Sequence, residues 1–316
     1  MSETATQERN ARIEWPTIGL FAVIHGGWLL LVWFHDQLPF WLWFGVAVWI
    51  SAWWGSAQHE ALHGHPTRHR FINTALATPP YWLWLPFERY RQTHLTHHND
   101  ERLTDPLDDP ESRYFTPEAW RELGPVVRAI VAAQGTLLGR LVLGPIWSVL
   151  IFWKDDLKAM IAGDRKLVRI WLWHVLWVAL LLAFVVGVAG LPLWKYVLAF
   201  AYCGTALALV RSFAEHKAEE KVEKRTAIVE NSPVFGLLFL NNNLHVAHHK
   251  WPGVAWYRLP GLYRKHRTAL IRENGGLVYD SYREVFGRFF LRRYSVPVHP
   301  LGRVPKAGDS AQTGNG

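Results

Sequence analysis

Cysteine is almost absent from this 316-residue chain: Cys203 is the single one. No intrachain disulfide can form, and the chain's own thiolates cannot hold an iron–sulfur cluster. Charge is missing from four long stretches. Residues 18–34, 39–58, 170–194 and 196–210 contain no Asp, Glu, Lys or Arg. A helix needs about 20 mostly apolar residues to cross a hydrocarbon core, so this distribution argues against a pair of soluble domains. Residues 1–10 are polar and lack the apolar run of a signal peptide.

The absences set a topology. We read an all-α, polytopic membrane protein with spans at about 16–34, 38–58, 170–189 and 191–210, arranged as two hairpins. Trp15, Trp33, Trp41, Trp171 and Trp194 fall near the span ends, as an interfacial belt does. The links 35–38 and 190–192 carry no Lys or Arg. The positive-inside rule then puts both termini and the long segments in the cytoplasm. A polar arm (1–15) precedes a single membrane domain (16–303) with a cytoplasmic helical cap, and a small-residue tail (304–316) is expected to be disordered. Prolines break the apolar run 71–87, which reads as interfacial or re-entrant. Arg128, Gln134 and Arg140 interrupt the helical stretch 118–153, which is expected to lie in the interface plane. The net charge of +8 follows from such a topology, or marks a docking face for an acidic redox protein or anionic lipid. The basic residues track the membrane ends, so no nucleic-acid partner is expected.

Histidine is abundant, with 16 in the chain. Eight lie in three strings: His59-Glu-Ala-Leu-His63, His94-Leu-Thr-His97-His98 and His245-Val-Ala-His248-His249. On a helix, positions i, i+3 and i+4 share a face, so each string is expected to aim its imidazoles one way. Neutral imidazole binds iron, zinc, copper or nickel. Eight imidazoles exceed what one metal can use, so two metals are expected. The topology puts all three strings on one side of the membrane. His216, after the fourth span, stands at the predicted depth of His59 and is a ninth candidate ligand. His65 points away from the string on a continuing helix and reads as structural. His25 and His174 read as neutral histidines bonded to neighbouring helices.

Ligating histidines usually donate their second nitrogen to a carboxylate or carbonyl. Glu60, Asp100, Asp105, Asp108, Asp109, Glu111 and Glu215 lie near the strings. Asp105, Asp108 and Glu111 are the first candidates for that task, with turn formation beside Pro106 and Pro110 as their other reading. Asn241, Asn242 and Asn243 precede the third string and could hold a metal-bound water or cap a helix. His59-Glu60-Ala-Leu-His63 also matches H-E-x-x-H, the zinc-protease helix. That reading leaves both H-x-x-H-H strings without a purpose.

These motifs resemble the membrane fatty acid desaturase superfamily, which has three histidine boxes on a four-span scaffold. The similarity runs from about residue 15 to 270. It includes Asn243-Leu-His-Val-Ala-His-His-Lys-Trp-Pro, Trp256-Tyr-Arg-Leu-Pro260 and the tract from Leu103-Thr-Asp-Pro through Asp109-Pro-Glu-Ser112, which resembles a bacterial branch. The resemblance implies a non-haem di-iron centre held by His59, His63, His94, His97, His98, His216, His245, His248 and His249. It implies O2 as co-substrate and a lipid or acyl substrate from the bilayer. Two electrons would come from a ferredoxin-, rubredoxin- or cytochrome b5-like donor at the cytoplasmic face, since no such domain is fused here. Desaturation is the first expectation. Hydroxylation, ketolation or another monooxygenation on the same scaffold is the second. An intramembrane zinc protease and a metal-binding membrane protein without catalysis are alternatives of other classes.

Overall fold

The computed structural model describes residues 13–98 and 100–301. The tail at 304–316 and most of the arm at 1–15 lie outside these residues. The chain runs α1 (Trp15–Trp33), α2 (Phe40–Leu62), α3 (Arg70–Ala77), α4 (Phe87–His97), α5 (Pro117–Glu122), α6 (Pro125–Gln134) and α7 (Leu137–Ile161). It continues as α8 (Arg165–Val188) and α9 (Leu193–Phe213), each containing a π-helical stretch. Then come β1 (Ile228–Val229), α10 (Pro233–Leu238), α11 (His245–Lys250), α12 (Leu259–Glu273), β2 (Val278–Tyr279) and α13 (Tyr282–Phe289). β1 and β2 pair in parallel, with Ile228 opposite Val278.

By length and composition, α1, α7, α8 and α9 could cross a membrane. This set differs from the expected one. The segment 118–153 is not one interfacial helix but α5, α6 and the long α7, whose polar Arg140, Lys154, Asp155 and Asp156 sit toward its ends. The stretch 38–58 is helical in α2, yet its five tryptophans and its His59-Glu60 end hold down its hydropathy. α2 nevertheless packs along both α1 and α9, burying Trp43, Ala47, Ile50 and Trp54.

A polar clasp fixes the register of α2. A π-helical turn leaves carbonyls off the regular ladder, and Ser51 Oγ donates to one of them, Phe200 O of α9, at 2.6 Å. Trp82 Nε1 donates to Ser51 O at 3.1 Å. Glycine permits both approaches. A Cβ on Gly204 would stand 2.1 Å from Ser51 Oγ, and one on Gly55 would stand 2.3 Å from the Trp82 ring. Each buried hydrogen bond adds about 0.5–1.5 kcal/mol net. The clasp thus locks three segments two turns before His59. Farther along, His65 Nδ1 pairs with Glu14 Oε1 at 2.7 Å, which ties the start of α1 to the loop after α2. That is the structural role expected of His65. His25 and His174 bond to Leu76 O and Leu83 O of neighbouring segments.

Candidate metal centre

The three strings occupy helix ends. His59 is in the last turn of α2, with His63 directly after it. His94 and His97 end α4, and His98 follows. His245, His248 and His249 lie in the short α11. His216 comes three residues past α9. The ring nitrogens gather in two groups: His59, His63, His94, His98 and His248 in one, and His97, His216, His245 and His249 in the other. Within a group all these atoms lie within 4.8 Å of one another. All nine expected histidines are included.

The strings do not each aim one way, as the sequence reading expected. Each H-x-x-H-H string divides. A residue advances about 100° around an α-helix, so i and i+4 differ by about 40° while i+3 sits about 60° to the other side. His94 and His98 therefore enter the five-histidine group and His97 the other. In the third string His245 and His249 enter the four-histidine group and His248 crosses to the five.

Hydrogen bonds from outside set the rings. His97 Nδ1 donates to Asp109 Oδ1 at 2.9 Å and His94 Nδ1 to Glu111 Oε1 at 2.9 Å. His245 Nδ1 donates to Asn242 Oδ1 at 3.1 Å, with Glu215 Oε1 at 3.4 Å. Asn242 Nδ2 also lies 3.4 Å from His59 Nε2. Glu215 is itself paired with Arg211 at 3.3 Å. Burial depresses the basicity of His97, but the carboxylates of Glu111 and Asp109 outweigh it and raise its pKa to about 9. Burial pushes the Glu215 carboxyl up, with Arg211 opposing.

This donor set fits metal ions. With Nδ1 committed as donor, the neutral His245 ring presents a bare lone pair at Nε2, and His97 presents one once its Nε2 proton is displaced, as metal binding does. Both face His216 Nε2, at 3.1 and 2.9 Å. One proton on His216 can satisfy one of these contacts, not both. The same crowding recurs at His94, His98 and His248, whose Nε2 atoms are linked at 3.0 and 3.1 Å. His63 Nε2 is buried with no hydrogen-bond partner among the described residues. Nitrogens about 3 Å apart suit neighbouring ligands on one ion, given metal–imidazole bonds of about 2.1 Å.

Other expected supports turn elsewhere. Asp105 Oδ1 accepts from the amides of Leu107 and Asp108 in a turn, and Asp108 lies 3.8 Å from Arg102. Asn241, at φ 58°, donates to Trp256 O, and Asn243 donates to Val229 O. Glu111 and Glu215 do reach histidines. Asp109 and Asn242 reach them too, and sequence reasoning ranked neither first. In the turn 105–112 the Asp105 side chain closes the loop, so the inward carboxylates are the later ones, Asp109 and Glu111. Asp109 binds at both ends of its carboxylate, also accepting from Thr104 N and Glu111 N.

The family model for fatty acid desaturases matches residues 36–283. The chain belongs to the fatty acid desaturase family. The matched range contains all three strings and His216. The protein is an integral membrane protein of an oxidoreductase family. No curated protein matches the chain.

Proposed function

We propose that this desaturase-family protein is an O2-dependent enzyme that introduces a C=C bond into a fatty acyl chain or lipid. His59, His63, His94, His98 and His248 would hold one iron ion, and His97, His216, His245 and His249 a second. The observation that supports this is the pair of groups, five and four ring nitrogens each within 4.8 Å. Bound there, the irons supply oxidising power toward an unactivated C–H bond that no side chain has.

The chain's own part is positioning. Asp109, Glu111 and Asn242 hold ring nitrogens in one tautomer. Burial of His59, His94, His97, His245 and His248 keeps bulk water from the rings. A lipid chain reaches such a site from the bilayer between helices. Two hydrogens leave the substrate, and two electrons from an external ferredoxin-, rubredoxin- or cytochrome b5-like donor, with two protons, complete the reduction of O2 to water. The Lys/Arg-free links 35–38 and 190–192 support a site and termini on the cytoplasmic side of a bacterial inner membrane.

The zinc-protease reading has little support. His59 and His63 sit among five histidines, and Glu60 Oε2 accepts from the backbone of Trp256 at 3.2 Å. Mass-spectrometric profiling of lipids and small metabolites in an expressing host tests the proposal, with a His249→Ala strain as control. Products lacking two hydrogens are expected. Products that gain one oxygen would make the enzyme a hydroxylase or other monooxygenase, and identical profiles in the two strains would overturn the oxidase reading.

A further inference from the structure

Lys and Arg are unevenly spread over the chain. Residues 250–293 hold ten of them against three Asp or Glu, so this segment carries most of the net charge of +8. Within it, α12 gathers exposed cations on one side. Leu259, Tyr263 and Leu270 are buried and share an apolar cluster with Val246 and Ala247 of α11. At about 100° per residue, Gly261, Arg264, Lys265, Thr268 and Arg272 stand on the opposite side, and all five are exposed. No Asp or Glu belongs to that side. Among the described residues no carboxylate pairs with Arg264, Lys265 or Arg272. Their neighbours are already committed: Arg267 is held by Glu230 at 2.6 and 2.8 Å, and Lys250 by Glu273.

This face lies directly behind the third histidine string. α12 packs on α11, the helix that carries His245, His248 and His249. His266 of α12 lies against Trp251, two residues past His249, with ring centroids 5.2 Å apart. His249 is in turn stacked on His98 at 4.3 Å. A helix is about 10–12 Å across with its side chains. A protein seated on the outer face of α12 is therefore one helix away from a string that feeds both histidine groups.

The composition of the face favours a protein over a lipid surface. A helix that lies on a membrane presents apolar side chains beside its cations. α12 has no exposed large apolar residue. The end of α13 is the contrast, for there Phe290 and Leu291 are exposed beside Arg292 and Arg293. Leu138 N donates to Phe290 O at 3.0 Å, which sets that segment against the start of α7. We propose that the outward face of α12, centred on Arg264, Lys265 and Arg272, docks an acidic one-electron carrier protein that reduces the metal centre. Opposite charge across such a contact steers the encounter and fixes its register. The inference rests on the O2-dependent reading above. Each docking oxidises the carrier by one electron. Two dockings, with two protons from solvent and two hydrogens from the substrate, carry one O2 to two waters.

The test uses the full iron-loaded chain in nanodiscs of neutral phosphatidylcholine. It measures binding of three acidic carriers, a plant-type ferredoxin, a rubredoxin and a soluble cytochrome b5 domain, as salt is raised. At least one should bind, and more weakly at higher salt. Arg264→Glu combined with Arg272→Glu should weaken that binding by about tenfold or more at low salt and flatten its salt dependence. Lys265→Gln, a milder change, should weaken it in the same direction and guards against a double variant that fails to fold. Arg292→Glu combined with Arg293→Glu makes the same charge change elsewhere and should bind as the wild type does. Equal weakening by the two double variants would overturn the face, as would failure of all three carriers to bind. Carrier binding unchanged in the α12 variants, with stabilisation by dioleoyl phosphatidylglycerol lost, would make the face a lipid contact and overturn the docking. Reduction by dithionite followed by O2 needs no carrier and keeps the two readings apart. Product formed that way by wild type and α12 variant alike, with carrier-driven turnover lost in the variant, supports the docking. Product formed that way with carrier-driven turnover intact in the variant overturns the docking alone. No product by either route overturns the O2-dependent reading, and the carrier's role with it.

Discussion

Asp109→Asn isolates the contribution of one carboxylate to the four-histidine group. Asp109 is 7% exposed and accepts three N–H groups: His97 Nδ1 and Glu111 N at Oδ1, and Thr104 N at Oδ2, each at 2.9 Å. Asparagine has one oxygen to offer. Placed at the Oδ1 position, it keeps the His97 contact and turns its NH2 toward Thr104 N–H. Flipped, it turns the NH2 against both His97 and Glu111. The first arrangement leaves one buried donor unpaired and the second leaves two, so the first prevails. Its cost to stability is about 1–3 kcal/mol. The imidazole keeps its tautomer but loses the negative charge behind it, and outer partners of this kind are worth about 10–100-fold in metal affinity. The assay dialyses iron-loaded protein against a chelator series and measures iron per chain. We expect one iron to leave Asp109→Asn at about 10–100-fold lower chelator than in the wild type, with the iron of the five-histidine group retained. Asp108→Asn, which touches Arg102 instead, should behave as wild type. Loss of both irons together at the wild-type chelator concentration, with only a lowered melting temperature, would refute the reasoning.

Other perturbations follow from the same geometry. His249→Ala should abolish product formation and lower iron content through the four-histidine group, as elemental analysis of purified protein will show. Glu60→Gln should retain iron and product formation, since its oxygen can still accept from Trp256 N; complete loss of activity with iron retained would revive a role for Glu60 in proton transfer. Gly204→Ala and Gly55→Ala should each destabilise by about 1–3 kcal/mol from overpacking, because the new Cβ would lie 2.1 Å from Ser51 Oγ or 2.3 Å from the Trp82 ring. Thermal unfolding measures this, and Gly19→Ala, where a Cβ meets nothing within 4 Å, serves as the control.

The nine histidines were legible because ligand spacing is local: a helix end presents its i, i+3 and i+4 residues within two turns. His216 was legible only through topology, as the residue that the fourth apolar stretch leaves beside the second. Their supports were less legible. Asp105, Asp108 and Asp109 are alike in a sequence, and only the folded turn sends Asp109 to His97 while Asp105 closes on its own backbone. Asn242 lies between two asparagines whose side chains go to Trp256 O and Val229 O. The long helices divide in the same way. Charge-free stretches mark α1, α8 and α9 plainly. The stretch 118–153 reads in sequence as one helix whose apolar run Arg128, Gln134 and Arg140 interrupt, whereas Gln134 ends α6 and a break at Gly135-Thr136 separates it from Arg140, leaving α7 apolar over its own length.

The division of the H-x-x-H-H strings explains why the pattern occurs twice. One string supplies two nitrogens to one group and a third to the other, because i+3 diverges from the i and i+4 pair. A single copy would leave the second group with one ligand from that source. The second copy, entering from α11, makes the opposite assignment: His245 and His249 join His97, and His248 joins His94 and His98. The contacts reflect this exchange, with His98 Nε2 3.1 Å from His248 Nε2 and the His98 and His249 rings stacked at 4.3 Å. Neither group can form until α4 and α11 have docked. Elements about 150 residues apart in sequence are therefore joined through both groups at once. Assembly of the two histidine groups and packing of the helix ends are accordingly one event, and a displacement of α11 alone would remove histidines from both groups.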